Sequence, residues 1–510
     1  MNYYLGLDNG GTSTKAALYD ALGRELAVSS RDTRVLTPAP DWFERDMEEM
    51  WEANCAVIRE VLRLSGVSPG EVAGAAVCGH GKGLYLWGKD GRPVRGGILS
   101  TDNRAYAYVD AWRRDGTEEK VFPLSCQHIM ACQPVALLPW LRDHEPETLA
   151  RARWAFGCKD YVRFRLTGEA RGELTDCSGA GAVNLRTRAY DPALLALFGI
   201  PELMDLFPPL CRSDEIAGYV TREAAERCGL MEGTPVLGGM FDIDACAVAA
   251  NVLDEENVCM IAGTWSINEY LRPEPVTDGR AYMNSLFCLP EYCLIEESSS
   301  TSAGNLEWFI RTLLPEVKAR AESGGGSVYA LLDRWVSQTG PETFVPLFLP
   351  FLMGSNAHPN ARGVFAGLSA DMGRELLARS VYEGVVYCHK VHLDKLLGTK
   401  KAPPDCVRLA GGAARSEVWS QMFADILGLP VERLEARETG TLGCAILAAA
   451  GTGAYPGLRE AARAMSPVGK RFTPNPRAAV HYERRYALYK KLVSCLDPLW
   501  GDVQRAVEGE

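Results

Sequence analysis

Residues 3–20 read as a largely apolar stretch, a Gly/Thr-rich interruption and a second apolar-rich stretch, a pattern that predicts a strand, a turn and a second strand. Gly23 fits a further turn before Leu26-Ala27-Val28, so the chain opens as a meander of short strands. The period then changes. From Met47 to Leu64 the residues Met50, Trp51, Cys55, Ile58, Val61 and Leu62 recur at helical spacing, with Asp46 placed to cap the first turn. Val72 to Cys78 reads as a buried strand ending at Gly79. Strands followed by helices in this order predict an α/β domain.

The second half repeats the plan. Val258–Ile261, the Gly263-Thr264 pair and Ile267–Leu271 form another strand, turn and strand. Val407–Ala410 is a strand running into Gly411-Gly412-Ala413-Ala414, and a helix is expected from about Ser416 to Leu427. Two similar halves imply a cleft between them. The polar, turn-like stretch at 251–257 suggests domains of residues 1–250 and 251–510, while Glu322–Ser327 is a flexible loop inside the second half. A chain of 510 residues has ample length for two large cores.

A net charge of -11 with no dense Lys/Arg run argues against a nucleic-acid partner, and an anionic substrate would have to be met by a local cation rather than by the overall field. Sixteen cysteines without a CxxC pair point to reduced thiols in the cytoplasm rather than a zinc ribbon or disulfide scaffold. The N-terminus lacks the basic-then-apolar layout of a secretory signal, and the apolar stretches fall far short of the roughly 20 residues of a membrane helix, so neither export nor membrane association is expected.

Phosphoryl transfer requires donors around the phosphates, a metal and a base near the acceptor hydroxyl. No GxxxxGK[ST] sequence is present. Gly10-Gly11-Thr12 and Gly263-Thr264 offer another solution, turns whose glycines let backbone N–H groups approach phosphate oxygens while threonine hydroxyls add donors. Each alone reads more readily as an ordinary β-turn; their matching places in the two halves give the pair its weight. Asp8, directly before the first turn, suits Mg²⁺ or its waters, with an Asx-turn as the alternative. Asp242 lies in Gly238-Gly239-Met240-Phe241-Asp242-Ile243-Asp244, a small and apolar segment at a strand-to-helix junction. A carboxylate there serves either as a helix N-cap or as a proton acceptor, and Asp244 is the competing candidate.

In order along the chain, Asp8-Asn9-Gly10-Gly11-Thr12, Gly79-His80-Gly81-Lys82-Gly83, Thr101-Asp102-Asn103-Arg104, Lys159-Asp160-Tyr161, Gly239–Asp242, Gly263-Thr264, Arg362–Leu368 and Gly411–Ser416 resemble the FGGY carbohydrate kinases. The resemblance covers residues 3 to about 490. It implies two actin-like, RNase H-like domains with a catalytic cleft between them, the sugar held mainly by the first and ATP mainly by the second. By the same resemblance Asp242 is the general base, Asp8 supports the metal, and Gly10, Gly11, Thr12, Gly263 and Thr264 flank the phosphates. Gly411, Gly412, Ala413 and Ser416 resemble the adenosine site, and Glu438-Thr439-Gly440 with Gly443 the segment behind it. His80, Lys82, Asp102, Arg104 and Asp242 are implied around the sugar. Trp42 and Glu44 resemble a covering loop, with core packing the alternative for Trp42.

D-xylulose kinases carry Gln-Met-His-Gly where this chain has His80-Gly81-Lys82-Gly83, and Trp265 and Ile243 also depart from their pattern. Gly81–Leu84, Ser302–Phe309 and residues 350–357 are closer to the L-xylulose kinase branch. The expected activity is therefore ATP- and Mg²⁺-dependent phosphorylation of a primary hydroxyl of a pentulose, with L-xylulose as the acceptor indicated. Erythritol or D-xylulose/ribulose kinase, or a non-catalytic sugar and ATP sensor, are the alternatives. A homodimer is the default expectation for such an enzyme. His389 and His392, three apart, could present two imidazoles on one helix face, but packing is the stronger reading. Cys126 and Cys132 read as structural thiols rather than a redox pair.

Overall fold

The computed structural model describes residues 2–355 and 357–508; Asn356, within the 350–357 segment, lies outside the described residues. The chain forms two compact units. The first gathers the residues up to Leu253 together with Leu271–Ile295 and Glu438–Pro467; the second gathers Asp254–Tyr270, Glu296–Arg437 and the chain from Val468 onward.

In the first unit, β1 (Tyr3–Asn9), β2 (Ser13–Asp20) and β3 (Glu25–Asp32) form the expected meander. β4 (Val72–Gly79) adds parallel to β1, and β5 (Ile216–Tyr219) and β6 (Pro235–Leu237) complete the order β3-β2-β1-β4-β6-β5. β1 and β4 are buried on both faces, which is why they read as nearly continuous apolar runs. The helix Met47–Ser65 begins where the pattern places it. Asp46 accepts from the Glu49 N–H, and Met50, Trp51, Cys55, Ile58, Val61 and Leu62 are all buried in the core with Leu5, Leu7, Leu18 and Val77.

In the second unit, β7 (Asn257–Ala262), β8 (Ser266–Arg272), β9 (Cys293–Ser299), β10 (Cys406–Ala410), β11 (Val431–Leu434) and β12 (Val468–Phe472) run in the order β9-β8-β7-β10-β11-β12. β7 pairs antiparallel with β8 and parallel with β10, as β1 does with β2 and β4. Over these six strands the two sheets share one plan. The helix Glu417–Leu427 starts at a Ser416 cap, and Glu322–Ser327 forms an exposed helix end and loop.

All sixteen cysteines are free thiols, Cys126 and Cys132 among them. Among the described residues no helix is long and apolar enough to cross a membrane.

Candidate functional site

The end of β4 in the first unit organises the chemistry. Gly239, at φ 81°, turns the chain so tightly that a Cβ there would lie 2.1 Å from the Val77 carbonyl oxygen. The turn lays Met240-Phe241 alongside β4, with Phe241 opposite Gly79, and the helix Asp242–Ala249 follows at once. The Phe241 N–H donates to the Thr175 hydroxyl at 2.9 Å, which donates to Glu173 at 2.7 Å. Asp242 is the first helical residue, with Phe241 in the cap position, so its carboxylate is not the N-cap that the sequence allowed. Asp242 is half-buried and Asp244 is wholly buried. The Asp244 oxygens make no hydrogen bond of ordinary geometry, and burial, Glu173 and Asp242 push its carboxyl well above the usual range against the weaker pull of the Cys288 backbone and Lys159. Asp244 is thus sealed in the interior, and Asp242 is the half-exposed carboxylate of the two.

Close to Asp244 lies a buried charge cluster in which Lys159 and Asp160, from the Lys159-Asp160-Tyr161 motif, meet Arg163, Glu173 and Asp176, which the sequence did not single out. Lys159 Nζ is 2.7 Å from Asp160 and 3.1 Å from Glu173, and Arg163 is 2.8 Å from Asp160. Asp176 lines a cavity of about 20 Å³, room for one water, with Lys82, Asp160 and Tyr190. Burial raises the Asp176 carboxyl to about 7 against the pull of Lys159.

Of the residues expected around the sugar, three are already engaged by the protein. His80 Nε2 is 2.9 Å from the Tyr85 hydroxyl; burial first, then Arg45, hold its ring neutral, with a pKa of about 3. Arg104 donates to both Asp102 oxygens, at 2.9 and 2.8 Å, and to Glu44 at 2.8 Å, and its guanidinium lies over the Trp42 and Trp140 rings. Trp42 therefore packs edge-on against Trp140 and over the guanidinium. The remaining donor, Arg104 Nη1, is buried without a hydrogen-bond partner. Lys82, by contrast, is half-buried and engaged by no hydrogen bond or ion pair among the described residues.

The Gly10-Gly11-Thr12 turn joins β1 to β2. Arg45, wholly buried, donates to the Gly10 carbonyl at 3.0 Å and also to the Gly11 carbonyl, and the Thr33 N–H donates to the Thr12 carbonyl. In a trans peptide the next N–H lies opposite the carbonyl, so the Gly11 and Thr12 N–H groups face away from Arg45. That leaves them available to an anion. Arg45 was missed because its partners lie about 35 residues away in a turn that carries no basic signature. Asp8 is half-buried, and burial followed by the pull of Lys15 and the push of Glu438 leave its carboxyl above the usual range; Lys15 itself pairs with Glu438 at 2.7 Å. A Cβ on Gly440 would sit 2.6 Å from Asp8 Oδ2, and one on Gly443 would sit 2.1 Å from the Ala245 carbonyl oxygen. Glu438, Thr439, Gly440 and Gly443 thus pack within the first unit, against Asp8 and the Asp242 helix.

Asp8 offers hard oxygen donors that burial makes costly to ionise alone, which fits a divalent cation. Among the described residues no group of three or more His, Cys, Asp or Glu side chains could cage a metal.

In the second unit, Thr264 and Trp265 are exposed at the β7–β8 turn. Gly411, at φ 89°, presses so close that a Cβ would lie 2.6 Å from the Ala262 carbonyl oxygen. Gly411 and Gly412 are exposed, Ala413 is buried beneath them, and the Ser416 hydroxyl is committed to the Trp419 N–H and Asp333. Behind the turn, His389 Nδ1 is 3.1 Å from the Ser266 hydroxyl and 2.8 Å from Asn268 Oδ1, and Nε2 is 2.8 Å from the Ser302 hydroxyl. His392 pairs with Glu297 at 3.4 Å. The two imidazoles are packing groups.

Comparison with known proteins agrees with this arrangement. The N-terminal domain of the FGGY family of carbohydrate kinases matches residues 3–249, and the C-terminal domain matches residues 258–452. The chain is 37% identical over 498 residues to the L-xylulose/3-keto-L-gulonate kinase of Escherichia coli strain K12, covering 97% of each chain. It is 34% identical to the probable L-xylulose kinase of Haemophilus influenzae, over 98% of this chain and 100% of the other. Its fold superposes on the crystal structure of xylulose kinase from Rhodospirillum rubrum with a TM-score of 0.84 at 28% identity, covering 98% of this chain and 100% of that one. On these grounds the chain belongs to the FGGY family of carbohydrate kinases and is a two-domain sugar kinase with ATP as its phosphoryl donor.

Proposed function

We propose that this enzyme phosphorylates the primary hydroxyl of a pentulose, L-xylulose, with Asp242 as general base. The observation that carries the base assignment is the contrast between Asp242, half-buried at the start of its helix, and Asp244, sealed in the interior, where burial pushes its carboxyl up. The helix N-terminus favours the ionised form of Asp242, as a proton acceptor requires. The acceptor reading is supported by the names of the Escherichia coli and Haemophilus influenzae relatives. Residues 1–250 are read as the sugar-binding domain and 251–510 as the ATP-binding domain, with Gly11 and Thr12 and the Gly263-Thr264 turn serving phosphates, and Gly411 and Gly412 the nucleoside. Asp8 would hold Mg²⁺, directly or through water, and the ion would neutralise phosphate charge during transfer. Sixteen free thiols support a reducing compartment, the cytoplasm.

The test is ADP release with L-xylulose, D-xylulose, ribulose and erythritol. Asp242→Asn is expected to lower kcat by at least about 10³-fold while ATP still binds. Near-normal turnover in that variant would remove Asp242 from the role. Sugar-induced thermal stabilisation without any ADP release in the unaltered protein would favour the sensor.

A further inference from the structure

Asp242 opens its helix without a side-chain cap, because Phe241 occupies the cap position and has no oxygen to offer. The start of the helix is fixed instead by what holds Phe241. Its backbone lies alongside Gly79 at the end of β4, and its ring is pressed onto the next loop, where a Cβ on Gly81 would lie 2.6 Å away. Its N–H donates to the Thr175 hydroxyl at 2.9 Å, across 66 residues of sequence. Thr175 is only 1% exposed, so it contacts neither sugar nor nucleotide. The direction of its hydroxyl is dictated by Glu173. One oxygen of that carboxylate accepts from the Thr175 N–H at 2.9 Å and from the Ser213 hydroxyl at 2.7 Å, and the other lies 3.1 Å from the Lys159 ammonium. Ringed by donors, Glu173 also accepts the Thr175 O–H at 2.7 Å, which leaves the hydroxyl lone pairs to the Phe241 N–H. The short helix that carries Thr175, Leu174–Gly179, is itself pinned, since the Ser178 hydroxyl donates to the Thr175 carbonyl at 2.6 Å and accepts from the Leu286 N–H at 2.9 Å.

We infer that Thr175 is a positioning residue for the base: the relay from Lys159 through Glu173 and Thr175 to the Phe241 N–H sets where the Asp242 carboxylate stands. This inference rests on the reading of Asp242 as general base. In that reaction the acceptor hydroxyl gives its proton to Asp242, its oxygen bonds to the γ-phosphorus, and ADP leaves. Thr175 acts one residue away from the base and touches no substrate, so its removal falls on the chemical step rather than on binding. A reacting group displaced by about 1 Å costs on the order of 10²-fold in rate. A hydroxyl that served the fold alone would cost stability and leave the turnover of the folded enzyme unchanged.

Thr175→Val keeps the shape of the side chain but removes both the acceptor for the Phe241 N–H and the donor to Glu173, whereas Thr175→Ser keeps both. With whichever sugar gives the fastest ADP release, Thr175→Val is expected to lower kcat about 10²-fold while the KM values for sugar and ATP move by less than about 3-fold, and Thr175→Ser to keep kcat within about 3-fold. In an Asp242→Asn background Thr175→Val should cost less than about 2-fold of the residual turnover, because a base already removed cannot be misplaced. Thermal melts check that each variant is folded at the assay temperature, and Thr175→Ala carries the same expectations if Thr175→Val is not. A folded variant with kcat within about 3-fold of the unaltered enzyme, a loss that appears in KM instead, or an equal loss in the Asp242→Asn background would each overturn the inference. The proposed function would still stand in those cases if Asp242→Asn alone abolishes turnover. Near-normal turnover in Asp242→Asn would overturn both.

Discussion

The two glycine turns sit at the same place in the same strand plan, yet they are braced by different chemistry. Behind Gly10-Gly11-Thr12 stands a buried guanidinium, Arg45, bonded to two carbonyls of the turn. Behind Gly263-Thr264 stand uncharged groups, the Ser266 and Ser302 hydroxyls and Asn268, gathered around His389, whose ring burial holds neutral with a pKa of about 3. Arg45 bonds the turn's own backbone, whereas the His389 group joins side chains to one another. Only the first also adds positive potential at the turn, which a triphosphate would feel through a medium of low dielectric. Duplication of a fold thus conserves geometry more strictly than electrostatics, and the two turns should fail in different ways when their braces are removed.

The largest effect is expected at Arg45. Arg45→Met deletes the charge and strands two carbonyl acceptors, so a stability loss of about 2–5 kcal/mol is expected in urea unfolding, together with a rise in KM for ATP of about 10-fold or more. Arg45→Lys keeps the charge but not the fork, and should restore part of the ATP affinity while restoring less of the stability. An unchanged KM for ATP in Arg45→Met would reduce the guanidinium to a structural brace and erase the contrast with His389.

A smaller effect is expected at His389. His389→Gln retains one donor and one acceptor but cannot reach Ser266, Asn268 and Ser302 together, so a loss of about 1–3 kcal/mol is expected. Because this brace is neutral, the KM for ATP should move by less than it does in Arg45→Met. A larger shift in KM at His389 than at Arg45 would reverse the comparison.

Periodicity alone located both sheets' central strands, the Asp46-capped helix and the helix near Ser416 to Leu427, because each is a local pattern of burial. The braces were not legible. Arg45 stands beside Glu44 in a two-residue strand, and what distinguishes it is a turn some 35 residues earlier in the chain. Asp242 and Asp244 are two residues apart with similar neighbours, and only the burial of one and the half-exposure of the other tell them apart. Glu438–Gly443 carries no sign that its glycines let a helix approach Asp8 and Ala245, since that depends on the chain returning to the first unit.

The smallest and most discriminating expectation concerns pH in the second unit. His389 and His392 lie on one helix, but their rings are shifted in opposite directions. Burial lowers His389 to about 3, whereas hydrogen bonds and charge from Cys388 and Glu297 outweigh burial at His392 and raise it to about 9. A folded-state pKa above the ordinary value means the folded chain holds a proton that the unfolded chain releases. The His392 contribution is therefore fully present below pH 6.5 and lost as pH rises toward 9. That of His389 has the other sign, being complete above pH 6.5 and declining as pH falls from there toward 3. Thermal melts of His389→Gln and His392→Gln against the unaltered enzyme should show a gap that narrows below pH 6.5 for the first and above pH 6.5 for the second. Parallel curves for the two histidine variants would mean that both rings titrate alike, and the neutral brace behind Gly263-Thr264 would have to be abandoned.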